Sequence, residues 1–166
     1  MKLNVENRYA ATVEQTFVSH ITRSVREEAC RQSGAKSWSV DIAEAADGGA
    51  RVQVDRTMSP ELPDYIAKLI GGSVTIRQIE EWSAPAADGS RTATVKLTIV
   101  GQPASMNGRA ELVPTPDGGS KEVITGDVKV AVPIIGSRFE PEIAKVIEAG
   151  MRIEQRVGDE WVRANC

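Results

Sequence analysis

Apolar residues alternate or recur along this chain in patterns that sort most of it into strands and helices. Leu3, Val5 and Tyr9 keep a period of two within residues 2–11, which predicts a strand. Thr12 then precedes Val13, Phe17 and Ile21 at helical spacing, and Gln15 completes a capping box with Thr12. A second helical stretch, Ser24 to Gln32, closes at Gly34, a residue suited to the left-handed turn that ends helices. Trp38, Val40 and Ile42 fall on one face of the next strand, and Asp47-Gly48-Gly49 reverses the chain. Val52, Val54 and Met58 line the strand that follows. Pro60 and Pro63 frame a short helix, Asp64 to Ile70, stopped by Gly71-Gly72.

Four more strands follow. Val74, Ile76 and Trp82 share a face in the first, and Val95, Leu97 and Ile99 in the second. Met106, Ala110 and Leu112 mark the third. Ile124, Val128, Val130, Val132 and Ile134 predict a fourth and longest strand. The turn segments between them, Pro85 to Ser90, Gly101-Gln102-Pro103 and Pro114 to Gly119, carry the usual breakers. The chain closes in a long helix reaching about residue 163, with Ser137 and Glu140 as its capping box and Pro141 in its first turn. Phe139, Ile143, Val146, Ile147, Gly150, Val157 and Trp161 recur on one face of that helix.

The predicted order is β-α-α-β-β-(short α)-β-β-β-β-α. Short turns between successive strands require antiparallel neighbours. One apolar face per strand requires a cover, and only the C-terminal helix is long enough to supply it. The expected fold is therefore α+β, a seven-stranded curved antiparallel sheet wrapped around a long C-terminal helix. Composition agrees. The chain has 18 Val and 13 Ile against 5 Leu, a β-branched excess that argues against a helical bundle. Its 166 residues fit one domain, 1–166, with no internal repeat or interdomain linker.

This order resembles the helix-grip fold of the START-like superfamily, whose members include lipid-transfer domains, pathogenesis-related proteins and polyketide cyclases. The segments that carry the resemblance are Thr12-Val13-Glu14-Gln15-Thr16-Phe17 and the closing stretch from Ile124 through Ile147. More narrowly, the chain resembles an uncharacterised, actinobacterial-type branch of that superfamily. The resemblance implies a cavity between the sheet and the long helix, typically for a lipid, fatty acid, sterol or polyketide. It carries no catalytic signature. An empty cavity of about 300 Å³ would cost ~7 kcal/mol at ~24 cal/mol per Å³. A space of that size should therefore hold ligand or water, or be filled by side chains.

Strand parity places several polar residues on the apolar faces. These are Asn7 in the first strand, Arg56 in the third, and Gln78 and Glu80 in the fourth. Glu154 lies on the apolar face of the last helix. Buried charges must pair, so Arg56, Glu80 and Glu154 are expected to meet and give an aliphatic pocket one polar end. The alternatives are that Arg56 snorkels to solvent at an open end of the sheet, or that a bulge turns Glu80 outward. With Tyr9, these residues form the polar part of the candidate ligand site. Trp82, Leu97, Val130, Ile147, Gly150 and Met151 form its wall. Tyr65, Ile66, Leu69 and Ile70 of the short helix form a possible lid hinged at Gly71-Gly72, or else a packed connector. Gly150 either lets a ligand approach or fits a tight helix–sheet contact.

Charge and reactive residues exclude several functions. The net charge is -3, and the basic residues at Arg23–Arg26 and Arg152–Arg156 alternate with acids, reading as solvated helix faces without a nucleic-acid footprint. The N-terminal residues lack an apolar signal region, and no apolar run is long enough for an integral membrane segment, so the expected location is cytoplasmic. Cys30 is expected as a half-buried thiol, and His20, the only histidine, as a surface or helix-end residue. One histidine and two distant cysteines make no metal site, and no phosphate loop or other cofactor motif is present. No protein partner is readable. The leading expectation is a binding or carrier protein for a small hydrophobic ligand. The alternatives are a cyclase- or dehydratase-type enzyme using Glu80, Glu154 or Tyr9 with Arg56, and a partner-binding module with a filled core.

Overall fold

The computed structural model describes residues 1–166. The chain runs β1 (Lys2–Tyr9), α1 (Val13–His20), α2 (Arg23–Gln32), β2 (Ser37–Glu44), β3 (Ala50–Met58), α3 (Asp64–Ile70), β4 (Val74–Trp82), β5 (Arg91–Ile99), β6 (Ala104–Pro114), β7 (Ser120–Val130) and α4 (Gly136–Asn165). The seven strands form one antiparallel sheet in the order β1-β7-β6-β5-β4-β3-β2. β2 to β7 follow one another as neighbours. β1 lies beside β7 at the far edge, so α1 and α2 carry the chain from one edge of the sheet to the other. This is the expected α+β helix-grip architecture.

The alternation seen in the sequence is the alternation of burial. β1, β4 and β5 bury every second residue, and the register sets their inner faces side by side: Val54 opposite Gln78, Gln78 opposite Leu97, Leu97 opposite Met106. The 30-residue helix α4, about 45 Å long at its rise per residue, packs on β7, β1, α1 and α2. Phe139, Ile143, Ala144, Ile147 and Met151 of α4 join the strands in one apolar core. Glycine permits the sheet's close curvature where Gly108 pairs with Gly126. A Cβ on Gly108 would lie 2.4 Å from the Thr125 carbonyl oxygen, and one on Gly126 would lie 2.8 Å from the Met106 sulfur.

Thr12 caps α1 as expected, accepting from the Gln15 amide at 3.2 Å while Gln15 accepts from the Thr12 amide at 3.0 Å. Four local expectations are corrected. β7 stops at Val130, opposite Ala104 where its partner β6 begins, and Pro133 does not resume a ladder; Val132 and Ile134 lie in the connection to α4, and Ile134 is 98% exposed at φ 71°. The Ser137–Glu140 capping box does not form. α4 begins at Gly136, placing Pro141 past the first turn, while Glu140 accepts from the Val130 amide and the chain's N-terminal ammonium. Trp38 is exposed because β2 is an edge strand, with only Val40 fully buried. Cys30 is fully rather than half buried.

Candidate functional site

A buried ionic network crosses the inner face where β3 and β4 meet α2 and α4. Strand parity points Arg56, Gln78 and Glu80 inward, and each is about 5% exposed or less. Arg56 Nη2 donates to Glu154 Oε1 at 2.7 Å and to Gln78 Oε1. Gln78 Nε2 donates to Glu80 Oε1 at 2.6 Å and to Glu154 Oε2 at 3.1 Å. The second cation is Arg26 of α2. Its Nη2 donates to Glu80 Oε2 at 2.6 Å, its Nη1 to Glu154 Oε2 at 3.2 Å, and its Nε to the His20 carbonyl at 2.8 Å. Trp82 Nε1 completes the shell of Glu80 at 2.8 Å. Two guanidiniums and two carboxylates thus alternate, joined by one amide. Burial alone would raise Glu80, but Arg26, His20 and the Trp82 bond outweigh it and hold its carboxyl below the usual range. Burial likewise opposes the charge on Arg26, and Glu80 and Glu154 overcome it.

A second polar group sits further along the face. Glu122 of β7 accepts from Asn7 Nδ2 at 3.0 Å and from the Tyr9 hydroxyl at 3.3 Å. His20 Nε2 stands 3.3 Å from Glu122 Oε1 but out of line for a hydrogen bond, with its ring between those of Tyr9 and Trp82. Burial pushes Glu122 up; His20, Asn7 and Arg26 pull it down further, so it too is held below its ordinary range. Tyr9 is raised well above its own, by burial first and then by Glu122. Between the two groups lies a polar void of about 30 Å³, enough for one or two waters.

The larger space lies on the other side of Arg56. A cleft of about 310 Å³ runs between α4 and strands β3 to β5. Met58, Ile76, Leu97, Val146, Ile147, Met151 and Ile153 supply its apolar wall, and Arg56 and Gln78 its polar end. Gly150 leaves it open: a Cβ there would meet no atom within 4 Å, so the glycine serves no tight helix–sheet contact. A narrow apolar slot between α4 and β4–β6 shares Ile76, Leu97 and Ile147 with the cleft.

Residues 4–162 match a family described as a protein of unknown function, DUF2505. The chain belongs to that family. Among relatives, an uncharacterized protein of Mycobacterium tuberculosis is 31% identical over 115 residues, spanning 69% of this chain and 66% of the relative, so just under two thirds of that protein's length is matched. The DUF2505 chain superposes on solved structures of the same fold. The Zhui aromatase/cyclase of a Streptomyces species aligns over 98% of this chain and 93% of its own, with TM-score 0.64 and 10% identity. A START superfamily protein of Mycobacterium smegmatis aligns over 99% of both chains, with TM-score 0.54 and 18% identity. At these identities the likeness establishes the fold, which agrees with the resemblance seen in the sequence. No helix of the DUF2505 chain is long and apolar enough to cross a membrane.

The expected residues divide between the two spaces. Arg56, Gln78, Leu97, Ile147, Gly150 and Met151 line the cleft; Asn7, Tyr9, Glu80, Trp82 and Glu154 surround the small polar void. Arg56 and Glu80 do not touch, as Gln78 and Glu154 stand between them. Val130 lines neither space. In α3, Ile66 and Ile70 are buried in the core, whereas Tyr65 and Leu69 are exposed. The sequence reading missed Arg26, His20 and Glu122. Arg26, read as part of a solvated helix face, is buried; His20, expected as a surface or helix-end residue, does end α1 but is buried as well. Arg91 was also missed. It is 4% exposed over the Phe17 ring and pairs with Glu14. Chemically, the inner end of the cleft offers the donors of Arg56 between apolar walls, and Glu61, Glu142 and Lys145 stand at its outer rim. Glu80 and Glu154 lie behind that inner end and are already bonded to Arg26, Arg56 and Gln78.

Proposed function

We propose that this chain is a binding or carrier protein for a small hydrophobic molecule held in the cleft between α4 and β3–β5, and that residues 1–166 act as one ligand-binding unit. The observation that carries the reading is the cleft itself: about 310 Å³, largely apolar, with one polar end and a glycine at position 150 keeping it open. The START-like fold supports it, because in that fold the same layers enclose the space. The site residues we assign are Arg56 and Gln78 at the polar end, and Leu97, Ile147, Gly150 and Met151 along the wall.

Binding is favoured over catalysis by which groups stand at the inner, polar end of the cleft. Arg56 is a donor only, and Gln78 is a neutral amide. Glu80 and Glu122 are set behind them and held ionised, which suits neither to donate a proton. A cytoplasmic location belongs to the same reading. Burial pushes the free Cys30 thiol up to about 11, so it is inert and suits a reducing compartment.

The test is native mass spectrometry of the purified chain, followed by displacement of a neutral fluorescent probe, N-phenylnaphthylamine, by apolar molecules. Probe binding that Gly150→Leu abolishes, with the fold retained by circular dichroism, is the expected result. Binding unaffected by Gly150→Leu, or no binding at all, would remove the cleft as the site.

A further inference from the structure

The polar end of the cleft is electrically complete but not hydrogen-bond complete. Arg56, Glu154, Arg26 and Glu80 form a chain of two cations and two anions, each in contact with its opposite. Within it, Arg56 uses only Nη2, which makes both bonds to Gln78 and Glu154. Its Nε is buried without a partner and closed off from the cleft, whereas Nη1 makes no bond within the chain and is not buried in that way, which leaves Nη1 as the donor open to a ligand. A 95% buried guanidinium with unused donors lines the cleft. Covering the free Nη1 donors with hydrocarbon would leave them unbonded, so an acceptor oxygen is favoured there.

Charge decides what kind of oxygen. A carboxylate arriving at Arg56 would compete with Glu154 and leave one negative charge in excess in a buried place. Nothing nearby inside the cluster offsets it, since Arg26 is already shared between Glu80 and Glu154. The outer rim of the cleft carries Glu61, Glu142 and Lys145, again without a cationic excess. A neutral oxygen accepts from the guanidinium and leaves the balance intact.

We infer that the cleft selects apolar molecules ending in a neutral oxygen acceptor, such as an alcohol, ketone or ester, over free carboxylates of the same chain, because Arg56 offers unused donors within a charge-balanced cluster. This rests on the carrier reading and names its ligand class. The apolar body lies along Met58, Leu97, Ile147 and Ile153, and the oxygen meets Arg56. Glu154 and Arg26 set the selectivity together: Glu154 neutralises Arg56, and Arg26 keeps Glu80 and Glu154 from leaving the cluster negative.

Dodecanol, dodecanoate and dodecane present the same chain with three different ends. Their competition against N-phenylnaphthylamine at pH 8 tests the inference. In the unaltered protein, dodecanol is expected to bind at least about tenfold more tightly than dodecanoate, and more tightly than dodecane. Glu154→Gln leaves the cluster one positive charge in excess and should raise dodecanoate affinity by at least about tenfold relative to dodecanol. A double variant, Arg56→Met with Glu154→Gln, keeps the cluster neutral and should erase the preference for dodecanol over dodecane. Thermal unfolding of each variant checks that it folds; if one does not, the comparison in the unaltered protein decides. Dodecanoate binding as tightly as dodecanol there would overturn the inference while leaving the carrier reading in place. Failure of all three to compete, together with no probe binding, would overturn the carrier reading itself.

Discussion

Replacing Arg26 by Met should destabilise the protein severely, and the loss should shrink as the solution is acidified. Arg26 is 5% exposed and is the direct cationic partner of Glu80. Methionine fills similar volume but leaves Glu80 with only the Trp82 and Gln78 donors, and leaves the His20 carbonyl without its partner. Removing one partner of a buried ion pair costs about 3–5 kcal/mol. That is a large part of the ~5–15 kcal/mol that holds a domain of this kind together. With a urea slope of roughly 2 kcal/mol per molar, the unfolding midpoint should fall by about 2 M at pH 7. Adding Glu80→Gln to Arg26→Met should restore much of it, because the orphaned charge is gone while the amide still accepts from Trp82.

The pH dependence separates a charge effect from a packing effect. In the unaltered protein Glu80 is held below its unfolded value of about 4.3. Its contribution is therefore complete above that pH and is lost as pH falls through the lowered folded value. In Arg26→Met the balance reverses: burial dominates and raises Glu80 above its unfolded value. The cost of the charge is then present at neutral pH and is relieved as pH falls through the raised value. The gap between variant and parent should narrow between pH 7 and about 5. A midpoint shift below about 0.5 M, or a gap that stays constant with pH, would refute the assignment of Arg26 as the charge that holds Glu80.

Four further substitutions test the packing and the backbone. Gly150→Ala should stabilise by about 0.5–1 kcal/mol, since the new methyl meets nothing within 4 Å and the helix gains propensity; a melting temperature raised by roughly 2–4 °C checks it, and a lowered one contradicts an open cleft at that position. Gly108→Ala should cost about 1–3 kcal/mol or more by urea unfolding, because its methyl strikes the Thr125 backbone at 2.4 Å; Gly126→Ala should cost less, as the Met106 side chain it meets can move. Ile134→Asn should gain about 0.5–1 kcal/mol in thermal unfolding, because a β-branched residue at φ 71°, 98% exposed, holds a conformation that asparagine adopts more readily.

Element order and the antiparallel pairing of successive strands were legible because each strand shows its buried face at period two and each turn carries its own breakers; the place of β1 beside β7 was not. What failed locally was decided by neighbours. Val132 and Ile134 continue the alternation of β7, yet no strand remains there for them to pair with beyond Val130. Glu140 suits a capping box, but the N-terminal ammonium and the Val130 amide hold it elsewhere.

The site divided along the same line. Arg56, Gln78, Glu80 and Glu154 could be placed inward because each interrupts a clear apolar face. Glu122 shares parity with Ile124 and Val128 and could have been found by the same rule. Arg26 and His20 were hidden because α1 and α2 are short and polar, and charge on such a helix ordinarily faces water. Arg26 does stand one turn before Ala29 and Cys30, which are buried, and that was the available signal. Its consequence is functional. Without Arg26 the polar cluster would carry one excess negative charge, and a cation would be the natural occupant of the cleft's inner end. With it, the four charges close on themselves. Arg56 is then left with spare donors but no spare charge, and selectivity for a neutral oxygen follows from a residue that does not line the cleft.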